Sequence, residues 1–361
     1  MISVIVCTYN RAQTLRRMLE SFFSQQNLNH LDYEVIVVDN NSTDDTTQVA
    51  KEFSNKPGFC YILEDHQGLS FARNRGITEA IGDFVSFLDD DVIVDPRWLV
   101  NLQKCLDETH ADAVGGKVEL NFQIPPPSWL GPLFRMHLAE LDLAPTRLVG
   151  LDRSGYSGCN VTFRKQTLQD VGGFNERLGR TGAQLECLEE SVVLHRIKST
   201  GGKLVYDPTV RVEHLVGSER MTWPYFKRLF LGQGISLAKL EIDGEVMSHL
   251  IALMSMLGLE RVFKGFLDSH RKPMRIVLIE RHSPPSKWLK LALIDLMFLT
   301  AAVFKLPQIY LFSGDSYNRK AGQASILTAA SRLLHRWKNL WNSMVSSSSI
   351  IKESVQEPPI S

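Results

Sequence analysis

The sequence predicts an α/β fold with a largely parallel sheet flanked by helices. Short apolar runs rich in β-branched residues, of which Ile2–Cys7 is the first, alternate up to residue 120 with segments whose apolar residues recur at helical spacing. Strands that alternate with helices are joined by crossover connections and therefore lie parallel. The length of 361 residues fits one large or two modest domains. The composition, with 44% hydrophobic and 22% charged residues, is typical of a globular protein.

The elements of this first half follow from apolar spacing and from residues that favour helix ends. The spacing of Leu15, Leu19 and Phe22 predicts the first helix, and Ser42 and Thr43 are the expected caps of the second. Strands are predicted at 2–7, 34–38, 59–63 and 83–88, and helices at 14–23, 42–53, 70–81 and from Pro96 onward.

Residues 122–150 interrupt the alternation with a proline-rich, irregular segment. Such a long loop in a compact domain is usually functional, so we predict a loop or lid beside the site. Strands are then predicted at 161–164, 203–206 and 209–214, with a helix at 186–199. We expect an α/β domain over 1–220, a helical region over 221–345 and a disordered, serine- and proline-rich tail over 346–361.

Charge and cysteine content narrow the class of protein. Forty basic residues offset forty acidic ones, so no chain-wide field attracts nucleic acid. The five cysteines form no CxxC pair and are odd in number, which favours free thiols in a reducing compartment. Met1 leads directly into a strand without a basic leader, so no signal peptide is expected. These features predict a cytoplasmic protein that does not bind nucleic acid.

Two C-terminal segments bear on membrane contact. The apolar stretch 289–312 is interrupted by Lys290, Asp295 and Lys305, so we do not expect it to span a membrane. Residues 326–344 carry an apolar stripe at helical spacing beside basic residues. This helix is predicted either to lie peripherally on the inner face of a membrane or to pack on its own domain or in a homodimer.

Polar clusters follow three of the predicted strands. They are Thr8–Arg11, Asp39–Asp44 and Asp89–Asp91. Because ligands of an open α/β sheet bind at the carboxyl ends of the strands, we expect these clusters to meet at one edge. Neither GxGxxG nor GxxxxGK[ST] follows the first strand, which argues against a nicotinamide dehydrogenase and a P-loop kinase.

Asp89, Asp90 and Asp91 predict a metal site. Strand alternation would place the first and third carboxylates on the same side. Two carboxylates about 4 Å apart repel by about 4 kcal/mol at an effective dielectric constant near 20, so a cation is needed to keep both ionised. Oxygen ligands suit Mg²⁺ or Mn²⁺, which typically bind substrate phosphates as well. The alternative is a solvated acidic loop that caps the following helix.

Arg73 and Arg75 lie at the start of the helix that precedes this strand. Guanidinium groups bind phosphates in a bidentate manner, so either is a candidate for a diphosphate. Two solvated arginines are the alternative.

Taken together, the ordered motifs resemble family 2 glycosyltransferases with the GT-A fold. The resemblance rests on Cys7–Arg11, Val37–Asp44, Gly68–Gly76, Phe87–Asp91, Gly172–Glu176, Glu189-Glu190, Tyr206–Pro208 and His214. It covers about residues 1–215 and is greatest to bacterial enzymes of exopolysaccharide and surface-glycan synthesis. It implies a Rossmann-like mixed sheet flanked by helices, with a helical C-terminal extension. It also implies transfer of a sugar, with inversion, from a nucleotide diphosphate sugar (UDP favoured) to a glycan or lipid-linked acceptor.

The resemblance also implies roles on the donor side. Thr8, Tyr9 and Arg11 would line the nucleotide pocket, Asp39 would read the base, and Arg73 would assist at the base or diphosphate. Asp89 and Asp91 would be the DxD pair, one nearer the ribose and the other on the metal, with Asp90 beside the nucleotide sugar. His214 would lie near the metal or the diphosphate, although a lone inward histidine is more often a core residue.

On the acceptor side, the resemblance implies a general base from an acidic pair. The pair here is Glu189-Glu190, in which a glutamate replaces the usual aspartate. Adjacent helical side chains lie about 100° apart, so only one of the two can point well into a cleft. We favour Glu190. Two solvated glutamates on a helix face are the alternative.

Two other functional classes stay open at the level of sequence. A nucleotidyltransferase uses a similar sheet, but it is expected to carry a glycine-rich basic loop where this chain has Thr8–Arg11. A catalytically degenerate, membrane-docked scaffold is suggested by the Glu190 departure, and the aspartates at 39, 89 and 91 argue against it.

Overall fold

The computed structural model describes residues 1–28, 31–151 and 156–242. These residues belong to one compact unit that runs from Met1 to Pro284. Across the three ranges, no helix is both long and apolar enough to cross a membrane. All five cysteines are free thiols, as predicted. The predictions for 289–312, for the stripe at 326–344 and for the tail lie outside the described residues.

Strands and helices alternate along the first half, as predicted. The strands are β1 (Ile2–Thr8), β2 (Tyr33–Asp39), β3 (Phe59–Leu63), β4 (Phe84–Asp89), β5 (Val92–Val94), β6 (Ala113–Phe122), β7 (Leu148–Val149), β8 (Asn160–Arg164) and β9 (Leu204–Val216). The helices are α1 (Ala12–Phe23), α2 (Thr46–Glu52), α3 (Leu69–Glu79), α4 (Trp98–Thr109), α5 (Pro132–Arg135), α6 (Lys165–Asp170), α7 (Glu189–Ser199) and α8 (Trp223–Ile242), with 3₁₀ turns at Met136–Leu138 and Ser218–Arg220.

The sheet is mixed, in the order β3-β2-β1-β4-β8-β6-β9-β5, with β7 added beside β9. The expectation of a largely parallel sheet holds for β3, β2, β1 and β4 and for the pair β6–β9, and it is wrong for the pairs that β8, β5 and β7 form. Strand β8 runs antiparallel to both β4 and β6, because the irregular segment rather than a crossover helix leads into it. The two strands predicted at 203–206 and 209–214 are one strand, β9, with a register shift opposite Gly116 and Lys117.

Burial explains why the central strands form. Six of the seven residues of β1 are buried, and its two faces contribute to two separate apolar cores. One core includes residues of α1 and α4, and the other includes residues of α3 and α7. A Cβ atom at Gly76 would lie 2.5 Å from Ile5 Cγ2, so glycine lets α3 pack closely on β1.

Two predicted helix starts are displaced. Helix α2 begins at Thr46 after Asp45, so Ser42 and Thr43 do not cap it. Instead the Ser42 hydroxyl accepts a hydrogen bond from the Asn10 backbone N–H at 2.9 Å, which joins the loops after β1 and β2. Helix α4 begins at Trp98, and Pro96 lies just outside it.

The strand register brings the polar clusters together. Thr8 is paired with Asp39 across β1 and β2, and Cys7 is paired with Asp89 across β1 and β4. The carboxyl ends of these three parallel strands therefore lie side by side. The predicted convergence on one edge of the sheet is confirmed.

Candidate active site

A cavity of about 350 Å³ opens at this edge of the sheet. The predicted residues Thr8, Tyr9, Arg11, Arg73, Asp89, Asp90, Glu189 and Glu190 all line it. The opposite wall comes from the predicted loop segment, through residues 136–143, and from α8, which starts the predicted helical region. A second, more open groove of about 690 Å³ is lined by residues such as Lys117, Asp142 and Arg211 and contains none of the predicted site residues.

The three aspartates do not follow strand alternation. Strand β4 ends at Asp89 and β5 begins at Val92, so Asp90 and Asp91 lie in a turn. The side chain of Asp89 is 35% exposed, and its Oδ1 lies 3.7 Å from Arg73 Nη2. Asp91 is buried among a different set of partners. The expectation that the first and third carboxylates share one side is wrong, because the strand ends before the third.

Asp90 faces the loop that follows β1. Its Oδ2 accepts a hydrogen bond from the Thr8 hydroxyl at 2.8 Å, and its Oδ1 lies 3.2 Å from Arg11 Nη1. The same guanidinium also donates to Asp91. Burial raises the pKa of Asp90 to about 6, although the charge of Arg11 opposes this rise.

Asp91 and His214 form a buried pair with Arg220. Arg220 Nη2 donates to Asp91 Oδ2 at 2.6 Å, and its Nη1 lies 2.9 Å from His214 Nε2. Burial opposes ionisation of Asp91, but Arg220 and the other nearby basic groups hold the pKa of its carboxyl well below the ordinary value. His214 Nδ1 lies 2.8 Å from the carbonyl oxygen of Leu138 and must donate to it, so Nε2 is the nitrogen that accepts from Arg220.

This pair suits a divalent cation in its donor set. Asp91 Oδ1 is buried without a hydrogen bond and lies 3.2 Å from His214 Nε2. A carboxylate and an imidazole are ligands that Mn²⁺ accepts, but Arg220 uses the lone pair of Nε2 in this conformation, so the pair can hold a cation only when that guanidinium moves away. Neither residue lines the cavity, but Arg11, which does, contacts Asp91.

Asp89, the third predicted ligand, does not join this pair. Within the described ranges, no group of three or more His, Cys, Asp or Glu residues is arranged to hold a metal. Of the predicted ligands Asp89, Asp91 and His214, the last two therefore lie side by side and Asp89 lies in the cavity wall, and metal binding by the three stays a prediction.

Arg73 is a buried structural cation in this conformation. Its Nη1 donates to Glu189 Oε1 at 2.8 Å, and both side chains are at most 5% exposed. The guanidinium carbon lies 5.7 Å and 5.2 Å from the ring centroids of Phe87 and Phe174. Arg73 also lines the cavity, and its contact with a base or diphosphate stays a prediction. Arg75 is exposed and pairs with Glu79 of the same helix.

Glu190 differs from Glu189 in its surroundings. As a residue it is half-buried, but its Oε2 atom is buried and has no hydrogen-bond partner. Burial raises the pKa of Glu190 to about 8, and the neighbouring charge of Glu189 adds to this rise. Leu188, just before the pair, has a φ of +79°, a conformation that non-glycine residues rarely adopt and that is retained mostly at functional sites.

Asp39 does not reach the cavity. It is fully buried, and its Oδ1 accepts from the backbone N–H of Ser42 at 2.9 Å. Its Oδ2 accepts from the hydroxyls of Tyr61 at 2.8 Å and Thr47 at 3.2 Å. The next residue, Asn40, does line the cavity. Base reading by Asp39 stays a prediction.

Unpartnered polar atoms concentrate at the cavity. Seven buried side-chain polar atoms of the described residues lack a hydrogen-bond partner, and five of them belong to residues that line it: His137, Tyr156, Glu189, Glu190 and Gln233. Buried polar groups are normally satisfied, so such a cluster indicates a place where a ligand binds. The sequence analysis did not identify His137, Tyr156 or Gln233. It also did not identify the cavity residue Arg180 or the buried Arg220. They stand outside the recognisable motifs, so no sequence signal marks them.

The model of the family described as "Glycosyl transferase family 2" matches residues 3–172. This part of the chain is therefore similar to that family. It is 27% identical over 252 residues to the glucosyl-dolichyl phosphate glucuronosyltransferase of Haloferax volcanii, which covers 64% of this chain and 75% of the relative. It is 28% identical over 238 residues to the succinoglycan biosynthesis protein ExoM of Rhizobium meliloti, which covers 64% of this chain and 73% of the relative.

The fold agrees with this similarity. A mannosyltransferase from Pyrobaculum calidifontis, solved with GDP-Man and Mn²⁺, superimposes with a TM-score of 0.54 at 18% identity. The match covers 87% of this chain and 88% of the other. The chain therefore has the GT-A fold, with a mixed sheet and flanking helices, and it is a glycosyltransferase.

Proposed function

We propose that this enzyme is an inverting, divalent-cation-dependent transferase. It moves a sugar from a nucleotide diphosphate donor, with UDP favoured, to a hydroxyl of a glycan or lipid-linked acceptor. The observation that carries the proposal is the unpartnered Oε2 of Glu190 in a cavity that Asp89, Asp90 and Arg11 also line.

Of the two glutamates, Glu190 is the general base. Glu189 is held by Arg73 at 2.8 Å, so its charge is already compensated inside the protein. Both glutamates have an unpartnered Oε2, but the pKa of Glu190 is raised to about 8, close to the operating range that suits proton transfer. Arg73 and Glu189 act as positioning residues that hold the start of α7.

A single general base, Glu190, is enough for the proposed transfer. Glu190 takes the proton of the acceptor hydroxyl while that oxygen bonds to the anomeric carbon. The bond from this carbon to the diphosphate oxygen breaks, and the nucleoside diphosphate leaves with the electron pair. A single displacement of this kind inverts the configuration at the anomeric carbon.

Asp91 and His214 would hold the divalent cation once Arg220 turns away from Nε2, because Asp91 Oδ1 is unpartnered and lies 3.2 Å from that nitrogen. When bound, the cation supplies charge neutralisation for the departing diphosphate. Arg11 lines the cavity and offers the same phosphates a guanidinium group. Asp89 lies partly exposed in the cavity wall, where its carboxylate would accept hydrogen bonds from hydroxyls of the ribose or the sugar.

The acceptor class is supported by the relatives. One is named for a sugar on dolichyl phosphate and another for succinoglycan biosynthesis. A lipid-linked acceptor would place the reaction at the inner face of a membrane. Peripheral membrane contact and a homodimer stay predictions, and co-sedimentation with anionic vesicles and sedimentation velocity of the full chain test them.

A thermal-shift screen identifies the donor class first. The full chain is heated with UDP, GDP, dTDP and CMP, each with and without Mn²⁺. A ligand at 100 times its Kd stabilises by about 2.7 kcal/mol, so a rise in Tm confined to one nucleotide with Mn²⁺ supports the proposal. A folded protein that responds to no pair contradicts it and favours a scaffold.

Sugar transfer is then measured with sugar derivatives of the nucleotide that the screen selects as donors and with a lipid or glycan extract as acceptor. Glu190→Gln is expected to lower kcat by about 10²- to 10⁴-fold while leaving nucleotide binding intact, since a glutamine cannot accept the proton. Glu79→Gln, at an exposed helical glutamate, is the matched control. Transfer by Glu190→Gln at the rate of the control would contradict the assignment of the base.

A further inference from the structure

One wall of the cavity is formed by the 3₁₀ turn Met136–Leu138 and helix α8. Here Gln233 Nε2 lies 3.2 Å from His137 Nδ1, and Phe230 packs edge-on against the imidazole at 5.1 Å. Gln233 is only 9% exposed, yet its Oε1 has no hydrogen-bond partner. Nε2 of His137 is likewise buried and unpartnered. The two side chains thus satisfy each other with one atom each and leave one buried atom each without a partner, in residues that line the cavity.

The unpartnered atoms are one donor and one acceptor. If the Gln233 amide donates to Nδ1, then His137 presents an N–H and the glutamine presents a carbonyl oxygen. If the amide is turned round, the imidazole presents a lone pair and the glutamine presents N–H groups. A hydroxyl group donates one hydrogen bond and accepts others, so it meets either arrangement.

The pair of side chains is also uncharged. Burial lowers the pKa of His137 to about 4, so its imidazole carries no charge near neutral pH. Two acidic side chains of the cavity lining are already paired, Glu186 with Lys239 and Glu140 with Arg135. A phosphate or carboxylate would gain no counter-charge from His137 and Gln233, whereas a neutral polyol needs none.

From these observations we propose that His137 and Gln233 form an acceptor subsite that binds hydroxyl groups of a neutral sugar. The inference rests on the proposed function, and it names the part of the acceptor that this wall recognises. His137, Gln233 and Glu190 line one cavity, so a sugar bound by the first two lies in the cavity that also contains the proposed base. The predicted loop at 122–150 and helix α8 together decide which acceptor is taken.

The test measures binding and needs no turnover. Octyl glycosides of glucose, galactose, mannose, N-acetylglucosamine and rhamnose are titrated by NMR into the full chain in the presence of UDP and Mn²⁺. At least one glycoside is expected to saturate the wild-type protein. Gln233→Met and His137→Phe are each expected to weaken its binding about tenfold or more, because the sugar then loses a hydrogen bond in a desolvated wall.

The matched control is Gln166→Met, which removes an exposed glutamine whose amide contacts Asp170 on α6. It is expected to bind glycoside as the wild type does, and the Kd of UDP should be the same in all variants. The double variant H137F/Q233M distinguishes a sugar-binding role of the pair from a role in stabilising the fold. Its midpoint of urea unfolding should be unchanged or higher, since it removes two unsatisfied polar atoms, whereas a structural pair would give a lower midpoint and unchanged glycoside binding.

Saturation of no glycoside by the wild type would overturn the subsite, and so would equal affinities in wild type and variants. If one variant fails to fold, the other decides. Because this readout requires no sugar transfer, it is independent of the Glu190→Gln result. Failure of transfer with intact glycoside binding would reject the proposed reaction and keep the sugar subsite.

Discussion

Arg73 Nη1 lies 2.8 Å from Glu189 Oε1, and the two residues are 116 positions apart in the chain. The ion pair joins α3 to the first residue of α7, directly beside Glu190. A second contact of the guanidinium, at 3.3 Å from the carbonyl oxygen of Gly158, adds the segment before β8. Three distant parts of the chain therefore meet at one buried cation next to the proposed base.

Loss of this cation should destabilise the protein strongly. Arg73→Met leaves the carboxylate of Glu189 buried without a counter-charge, and breaking a buried ion pair costs about 3–5 kcal/mol. Arg75→Met removes an exposed pair with Glu79 and should cost about 0–1 kcal/mol. Urea unfolding of both variants measures the difference. An Arg73→Met variant no less stable than Arg75→Met would contradict the structural role of this arginine.

Activity should depend on pH through Glu190. Its pKa is raised to about 8, so in the free enzyme most of this base is protonated below that pH. We expect kcat/KM to rise about tenfold per pH unit below pH 8 and to level off above it. The residual activity of Glu190→Gln should not show this rise of kcat/KM with pH. A flat profile for the wild type between about pH 6 and pH 9 would refute the assignment.

Stability should change with pH in the opposite sense. The unfolded chain releases the proton of Glu190 near the ordinary value of 4.5, whereas the folded chain keeps it up to about 8. Between these values the native state binds more protons, so the free energy of unfolding falls as pH rises. Glu190→Gln removes this contribution, and its stability relative to the wild type should increase from pH 5 to pH 8. Parallel stability–pH curves for the two proteins would argue against the raised pKa.

Metal binding should require Asp91 and His214. His214→Gln and Asp91→Asn are each expected to weaken Mn²⁺ binding in the presence of UDP at least about tenfold, measured by electron paramagnetic resonance of free Mn²⁺. Asp107→Asn, at an exposed carboxylate that contacts Gln103, is the control. Mn²⁺ affinity equal to that of the control in both variants would place the cation elsewhere.

Gly158 should be intolerant of a side chain although its backbone is not in the left-handed region. A Cβ atom there would lie 2.9 Å from Arg73 Nη2 and 3.3 Å from the carboxyl carbon of Glu190. Gly158→Ala should therefore lower kcat about tenfold or more by displacing the base, because small misplacements are costly in catalysis. Gly131→Ala is the control, since its added Cβ would meet nothing within 4 Å. Equal rates for the two variants would show that Glu190 adjusts freely.

Much of the fold was predictable from local patterns. Strands such as β1 and β2 are buried on both faces and therefore read as continuous apolar runs. Their parallel pairing places Thr8 beside Asp39, so the edge that carries the chemistry follows from where the strands end. The antiparallel direction of β8 could not be predicted from local patterns, because an irregular connection does not indicate the direction of the strand after it.

The candidate site was predictable in its residues and less so in their roles. Asp89 and Asp91 were found by motif, but the turn between β4 and β5 sends them to different partners. Arg73 was found as well, yet its partner Glu189 lies far away in the chain. His137 and Gln233 belong to no motif, and only packing of α8 on the 3₁₀ turn brings them together.

The sequence by itself therefore determined the α/β architecture, the resemblance to a family of glycosyltransferases and the sheet edge at which the chemistry lies. These depend on strand burial and on residues that are neighbours along the chain. Only the tertiary structure decided which glutamate is compensated and which is free, which aspartate faces a histidine, and which neutral groups face the cavity. The role of an ionisable or polar side chain is set by its burial and its partners, and here those partners come from distant segments.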